Sequence, residues 1–370
     1  MPETIPGRAT PEGTAGYRRR LAGRTGDGHF REHEGRALSS VGLGTYLGDE
    51  DGPTDDQYRA AIARALELGI NVLDSAINYR SQRSERVVGE ALRQAVAGGV
   101  ASREAVLVAS KGGFLPFDGS RPRDPRAYIE ETYVRPGIFT WEELAAGGHC
   151  MSPRYLEDQI ERSRGNLGLA TIDVYYVHNP ETQLGDVPRP EFRRRLRAAF
   201  ERLERACGDG AIAAYGTATW NGYRQPPESA DYLSLADVVA LAREVGGAGH
   251  HFRFVQLPYN LAMLEAFTGA NQAVDGRTGS ILEAAAAHGV YVMTSASILQ
   301  GRLARSLPAA LREQVPGFET DAQRALQFVR STPGVGTALV GMKRPGHVVE
   351  NARVAQVPPL EEPAFRSLFR

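Results

Sequence analysis

Cysteine is nearly absent from this chain. Cys150 and Cys207 are the only two in 370 residues, and they show no C-x-x-C spacing. That argues against a disulfide framework and a cysteine-based zinc site, and it fits a reducing compartment. Net charge is missing too: 43 Lys and Arg against 44 Asp and Glu leave −1. No broad basic field exists to gather nucleic acid or an anionic membrane. No apolar run approaches membrane-spanning length, and the opening MPETIPGRATPEGTAGYRRR has no apolar core of the kind a secretion signal needs. The expectation is a cytoplasmic protein whose partner is a small molecule; oligomeric state stays open.

What is present is alternation. Short apolar runs rich in β-branched residues read as buried parallel strands. They fall at Val41–Thr45, 70–74, Ala105–Ser110, 172–177, Ala211–Gly216, Phe252–Gln256, Val290–Thr294 and Thr337–Val340. Helical periodicity separates them at Asp55–Leu68, Glu85–Ala97, Pro153–Leu167, Glu191–Ala206, Leu233–Val245, Ser280–His288 and Asp321–Arg330. Eight such units favour a closed (β/α)8 barrel, a TIM barrel, over one domain spanning 38–370; a doubly wound open sheet shares the same periodicity. Residues 1–37, rich in Gly, Arg, Thr and Pro, read as a flexible or surface-draped arm.

Two segments interrupt the pattern. Gly42, Gly44 and Gly48 mimic a dinucleotide-binding turn, but the acidic loop Asp49-Glu50-Asp51-Gly52-Pro53 follows them before a helix starts near Thr54. A Rossmann turn must run straight into its helix, so that reading is rejected. The forty or so residues at 112–152, after the third strand, far exceed a usual βα loop and are too aromatic for a disordered tail. They read as a lid over the substrate, in which Phe114, Phe117, Tyr133 and Trp141 serve either its own core or a pocket. The adjacent pairs His149-Cys150 and His250-His251 are poor metal sites, because neighbouring residues rarely present two ligands to one ion.

Ionisable side chains recur at strand ends. Asp74 and Tyr79 follow the second strand in DSAINY, Lys111 ends the third in VASKGG, and His178 ends the fourth in DVYYVHNP. The carboxyl ends of parallel strands are where such folds place chemistry. In order and setting this set resembles the aldo-keto reductases, and the likeness runs from Val41 to Ala355. The resemblance implies an NAD(P)H-dependent oxidoreductase acting on a carbonyl or alcohol, with Tyr79 as general acid/base and Asp74, Lys111 and His178 completing the set. A phenol ionises near pH 10, so the expectation is that the Lys111 ammonium lowers the Tyr79 pKa, that Asp74 holds that ammonium, and that His178 orients the carbonyl.

The resemblance also assigns a cofactor surface for NADP(H), with NAD(H) as the alternative. Gly44, Thr45 and Tyr46 lie at the nicotinamide end with Asp74, and Gln256 matches the glutamine that meets the carboxamide. Ala218 and Thr219 in YGTATW replace the usual Ser-Asn. In TSASILQG, Ser295 replaces the tyrosine that stacks on the nicotinamide, and Gln300 and Gly301 follow it. Trp220 and Tyr259 are candidates to make up the lost stacking. Gly341, Lys343, Arg344, His347, Glu350 and Asn351 match the adenosine-phosphate site, with Lys343 and Arg344 on the 2′-phosphate. No metal is implied. Two other readings share these residues: a nicotinamide-binding regulatory barrel like the potassium-channel β-subunits, and a barrel running lyase or epimerase chemistry.

Overall fold

Each apolar run is just long enough for a strand buried on both faces, and each helix has one apolar stripe to lay against it. The computed structural model describes residues 4–369. Eight of its strands build one sheet, β1 (Val41–Gly44), β2 (Val72–Asp74), β3 (Leu107–Gly112), β4 (Ile172–His178), β5 (Ile212–Ala218), β6 (Phe252–Pro258), β7 (Tyr291–Ser295) and β8 (Thr337–Gly341). They pair in parallel in that order, and β8 returns to β1 with Val340 opposite Leu43. That pairing closes the barrel and removes the open-sheet alternative.

The barrel is filled, not hollow. Side chains alternate along each strand, so Val72, Leu107, Ala109, Val174, Tyr176, Phe254, Met293 and Leu339 pack together inside. The residues between them, such as Leu73, Val108, Tyr175 and Val255, join the outer layer with the helices. These helices are α1 (Gly52–Glu67), α2 (Arg83–Ala97), α3 (Pro153–Leu167), α4 (Arg189–Gly208), α5 (Leu235–Gly246), α6 (Ile281–Ala287), α7 (Asp321–Ser331) and α8 (Pro345–Ala352). Helix α1 starts earlier than expected. Asp51, not Thr54, is its N-cap, and its carboxylate accepts the Thr54 amide at 2.8 Å, because Gly52-Pro53 makes a good first turn.

The arm is not draped loosely. Pro11–Arg20 is a helix, capped by Thr10, whose Tyr17 is buried and donates its hydroxyl to the Leu66 carbonyl. Phe30–His33 and Arg36–Ser39 form an antiparallel hairpin, and the His33 ring meets Phe254 and Tyr291 at 5.0 Å. The arm was misread because its few apolar groups are scattered over a helix and a hairpin, Tyr17, Leu21 and Phe30 joining the outer layer and Ala9 and Leu38 the barrel interior, and so leave no periodicity.

The insertion at 112–152 folds on itself, with short helical turns at Pro125–Ile129, Glu130–Val134 and Trp141–Glu143. Tyr133 and Phe139 stack at 5.7 Å and pack on Cys150 and Tyr155. Tyr133 is therefore core, and Trp141 is held by Glu130, to which its indole donates at 3.0 Å.

Candidate active site

The carboxyl end of the barrel brings the four strand-end residues together. β2 is short and buried, so Asp74 emerges beside β3, and Lys111 reaches across to it. The Lys111 ammonium, wholly buried, donates to Asp74 Oδ2 at 2.7 Å and to the Ser75 carbonyl at 2.8 Å. The other Asp74 oxygen accepts the Gln256 amide at 2.8 Å. Buried charge is costly unless paired and bonded in this way. The same ammonium sits 4.8 Å from the centre of the Tyr79 ring, within cation–π range. Tyr79 stands edge-on to His178 at 5.9 Å and to Tyr46 at 5.0 Å. Phe114, at the root of the lid, abuts His178 at 5.1 Å, so it faces the site.

His178 is itself positioned. Its carbonyl accepts a bond from His149 Nε2 at 2.7 Å, and His149 Nδ1 accepts the Gln183 amide at 2.8 Å. Both His149 nitrogens are thus committed within the protein. Burial, the Lys111 charge and His149 hold His178 well below the usual histidine range, so its ring is neutral, and its Nδ1 has no partner among the described residues.

The expected depression of the Tyr79 phenol does not hold in this geometry. Lys111 directs its protons at Asp74 and Ser75 and lies over the ring face, while burial first and the Asp74 carboxylate second push the phenol well above 10. Lys111 in turn is lowered by burial, against the opposing pull of Asp74.

The cofactor residues assigned by resemblance form an arc around the same rim. Thr45 donates its hydroxyl to the Asp74 carbonyl at 3.1 Å, and Gly44 pairs with Asp74 on one side and Gly341 on the other. Tyr46, more than half exposed, stands over Tyr79. Ala218 is buried at the end of β5. The Thr219 amide donates to the Gln256 carbonyl at 2.8 Å, and its buried hydroxyl has no partner among the described residues. Ser295 is partly exposed at the end of β7, and Gln300 and Gly301 take left-handed conformations in the turn beyond it. Lys343, Arg344 (the N-cap of α8) and His347 reach solvent at the start of that helix. One turn on, Glu350 is half-buried, its carbonyl accepting from Gln323, and Asn351 is buried with its Oδ1 unpartnered among the described residues.

Tyr259 is not available as a stacking partner: it is buried against Phe328 at 5.8 Å in the outer layer. Trp220 remains on the rim, 45% exposed. Sequence reasoning also missed Glu181. Its buried carboxylate accepts the backbone amides of Trp220 and Asn221 at 2.7 and 3.1 Å and so shapes the loop after β5. An acid directly after the HNP strand exit was the only signal available.

A closed (β/α)8 barrel with a buried Asp–Lys pair, a tyrosine and a histidine on one rim defines a class of oxidoreductase. The model of the Aldo/keto reductase family matches residues 40–306, and the chain belongs to that family. A protein of Schizosaccharomyces pombe named for a voltage-gated potassium channel β-subunit is 24% identical, over 88% of this chain and 87% of that one. D-threo-aldose 1-dehydrogenase of a Pseudomonas species is 25% identical, over 84% and 86%. An aldo/keto reductase of Klebsiella pneumoniae, solved with NADP and acetate, shares the fold with a TM-score of 0.62 at 23% identity, covering 92% of this chain and 93% of its own.

Proposed function

We propose that this protein is an NADP(H)-dependent carbonyl reductase, or the reverse alcohol dehydrogenase, with Tyr79 as its acid–base residue. The observation that carries the reading is the buried Lys111–Asp74 pair set against the face of Tyr79, with neutral His178 beside it. The rim fits the cofactor. The Thr219 hydroxyl and Asn351 Oδ1 are buried on this rim without partners among the described residues, polar atoms that a bound dinucleotide can engage. Lys343 and Arg344 offer cations at a helix start, where a phosphate is also drawn by the dipole. NADP(H), when bound, supplies or takes up a hydride at the substrate carbon.

The chain's own residues do the rest. Tyr79, held neutral by burial and Asp74, gives its proton to the carbonyl oxygen during reduction and recovers it from solvent. His178, neutral and with no ring hydrogen bond to the described residues, orients that oxygen by hydrogen bonding. Lys111 offsets the negative charge that Tyr79 carries after transfer, and Asp74 keeps the ammonium in place. Because the phenol lies well above 10, ionisation of Tyr79 leaves reduction rates intact below about pH 10.

The lid, rooted at Phe114 beside His178, forms the substrate wall. The two unpaired cysteines and the lack, among the described residues, of any helix long and apolar enough to cross a membrane agree with a cytoplasmic setting.

The test is oxidation of NADPH against a panel of aliphatic and aromatic aldehydes and ketones, with Tyr79→Phe alongside. The variant should bind NADPH normally and lose roughly a hundredfold or more in turnover. Undiminished turnover removes Tyr79 from the mechanism. NADPH binding with no turnover of any carbonyl by the unaltered protein favours the regulatory barrel instead.

A further inference from the structure

The backbone leaves Tyr79 by an unusual route. Arg80, Ser81 and Gln82 all have positive φ, at 48, 52 and 70°, so three consecutive residues with side chains occupy the left-handed region that glycine normally takes. Such a run persists only where its surroundings over-determine it.

Here the surroundings do so residue by residue. The Arg80 guanidinium, 1% exposed, passes beneath the loop after β1. It donates from Nε and Nη2 to the Asp49 carbonyl at 2.9 and 2.7 Å and pairs with Asp55 Oδ1 at 2.6 Å. Ser81 donates to Glu50 Oε1 at 2.6 Å. In the other direction, the Ser81 carbonyl accepts the Gly119 amide at 2.8 Å, and Gln82 donates to the Phe117 carbonyl at 2.9 Å. Phe117 and Gly119 belong to the first stretch of the lid. A third support comes from Asn166 on α3, which donates to Gln82 Oε1 at 3.0 Å. The loop gripped by Arg80 also borders the cofactor side. At Gly48, where φ is +132°, an added Cβ would lie 3.6 Å from Arg80 Nε and 3.7 Å from Lys343 Cδ. One strained turn therefore touches the tyrosine, the acidic loop and the lid.

We propose that Arg80–Ser81–Gln82 is a positioning device for Tyr79, clamped by Arg80 to the loop after β1 and by Ser81 and Gln82 to the lid, so that seating the lid and aiming the phenol are one event. It rests on the reading of Tyr79 as the acid–base residue. The acidic loop, read from sequence only as a reason to discard a phosphate-binding turn, acquires a role: its carbonyls and Asp55 hold the arginine. Arg80 is well suited to this work, since its planar fork bridges acceptors that a lysine ammonium cannot span together.

The test is Arg80→Gln in the full chain, assayed with NADPH and whichever aldehyde the unaltered protein reduces best. Turnover should fall by roughly ten- to a hundredfold, the scale of a misplaced catalytic group, while NADPH affinity, read from its fluorescence, stays within about twofold. Arg80→Lys should recover only part of the loss. In a Tyr79→Phe background, Arg80→Gln should cost nothing further, because a residue that acts through the phenol has nothing left to position. A further loss there, or full turnover in the single variant, overturns the proposal. Tyr79→Phe alone, if harmless, defeats the acid–base reading and takes the turnover arm of this proposal with it, and the clamp itself is then decided by hydrogen exchange.

Hydrogen exchange reads the coupling without turnover. Arg80→Gln should lose protection at the Tyr79 and Gly119 amides together, and loss at Tyr79 alone separates the lid from the turn and sinks the coupling. Should Arg80→Gln fail to fold, Gln82→Ala carries the same exchange test from the lid side, with the same two outcomes.

Discussion

The half of the rim around the Lys111–Asp74 pair closes on itself, and the half that carries Ala218, Ser295 and Asn351 does not. In the first, Asp74, Lys111, Ser75 and Gln256, the last reaching over from β6, satisfy one another at 2.7 to 2.8 Å. In the second, the Thr219 hydroxyl and Asn351 Oδ1 are buried without partners among the described residues, and Ser295 and Ala218 offer little to a flat ring. The first arrangement is pre-organised for charge; the second is completed only by what binds there. The chain's basic residues repeat the contrast. Only two of 43 are lysines, Lys111 and Lys343. One lies buried in the closed half, where a compact point charge fits, and the other waits on the open half at the start of α8.

The sharpest way to break this contrast is at its closed end. Lys111→Met should lower turnover at least roughly a hundredfold. It should also destabilise the fold by about 3–5 kcal/mol, because it strands Asp74 in the interior. Denaturant midpoints and steady-state rates check both, and a stable, active variant would show that the pair is dispensable. At the open end, removing Lys343 and Arg344 together should leave turnover at saturating NADPH nearly intact. It should weaken NADPH binding by roughly tenfold or more, the loss expected for charge-assisted bonds to a phosphate, with NADH little affected. Equal losses for both cofactors would move the 2′-phosphate elsewhere.

Replacing 112–152 with a short glycine-containing loop should raise the Michaelis constant for the preferred carbonyl several-fold while NADPH affinity holds, since Lys343, Arg344 and Asn351 lie on the opposite half. Loss of cofactor binding with substrate binding retained would place the lid at the adenosine end. A smaller gain is expected from Ser295→Tyr. Restoring a stacking face is worth about 0.5–1.5 kcal/mol, which would tighten NADPH by a few-fold; no change would mean that Trp220 or another group already covers the ring.

Stability against pH gives a last measurement. His29 and His149 are buried and held neutral, each lowered from 6.5 to about 4, chiefly by burial. A depressed folded pKa means that the unfolded chain takes up the proton first. The stability from each is fully present above about pH 6.5 and lost as pH falls toward 4, at about 1.4 kcal/mol per pH unit per histidine within that window. Urea midpoints that stay flat between those limits would contradict it.

Much was settled by sequence order alone. The alternation of buried runs and amphipathic helices made the barrel, because a parallel strand covered on both faces has to read as apolar throughout. Strand-end position then put Asp74, Lys111 and His178 on one rim, and helix α3 was placed at Pro153–Leu167 to the residue. Closure was decided in three dimensions, by β8 finding β1. So was the order in the arm: Tyr17 packs into the outer layer and His33 on Phe254 and Tyr291, and such scattered contacts leave no period to read. The direction of the Lys111 protons was tertiary as well. Sequence could set the ammonium near Tyr79 with Asp74 as its partner, but only packing showed it bonded to Ser75 as well and lying over the ring face, with burial raising the phenol it was expected to lower. The left-handed run after Tyr79 was the least legible feature. Arg-Ser-Gln carries none of the glycine that normally marks such a turn, and its supports come from the loop after β1, the lid and α3, which meet only when the barrel is folded.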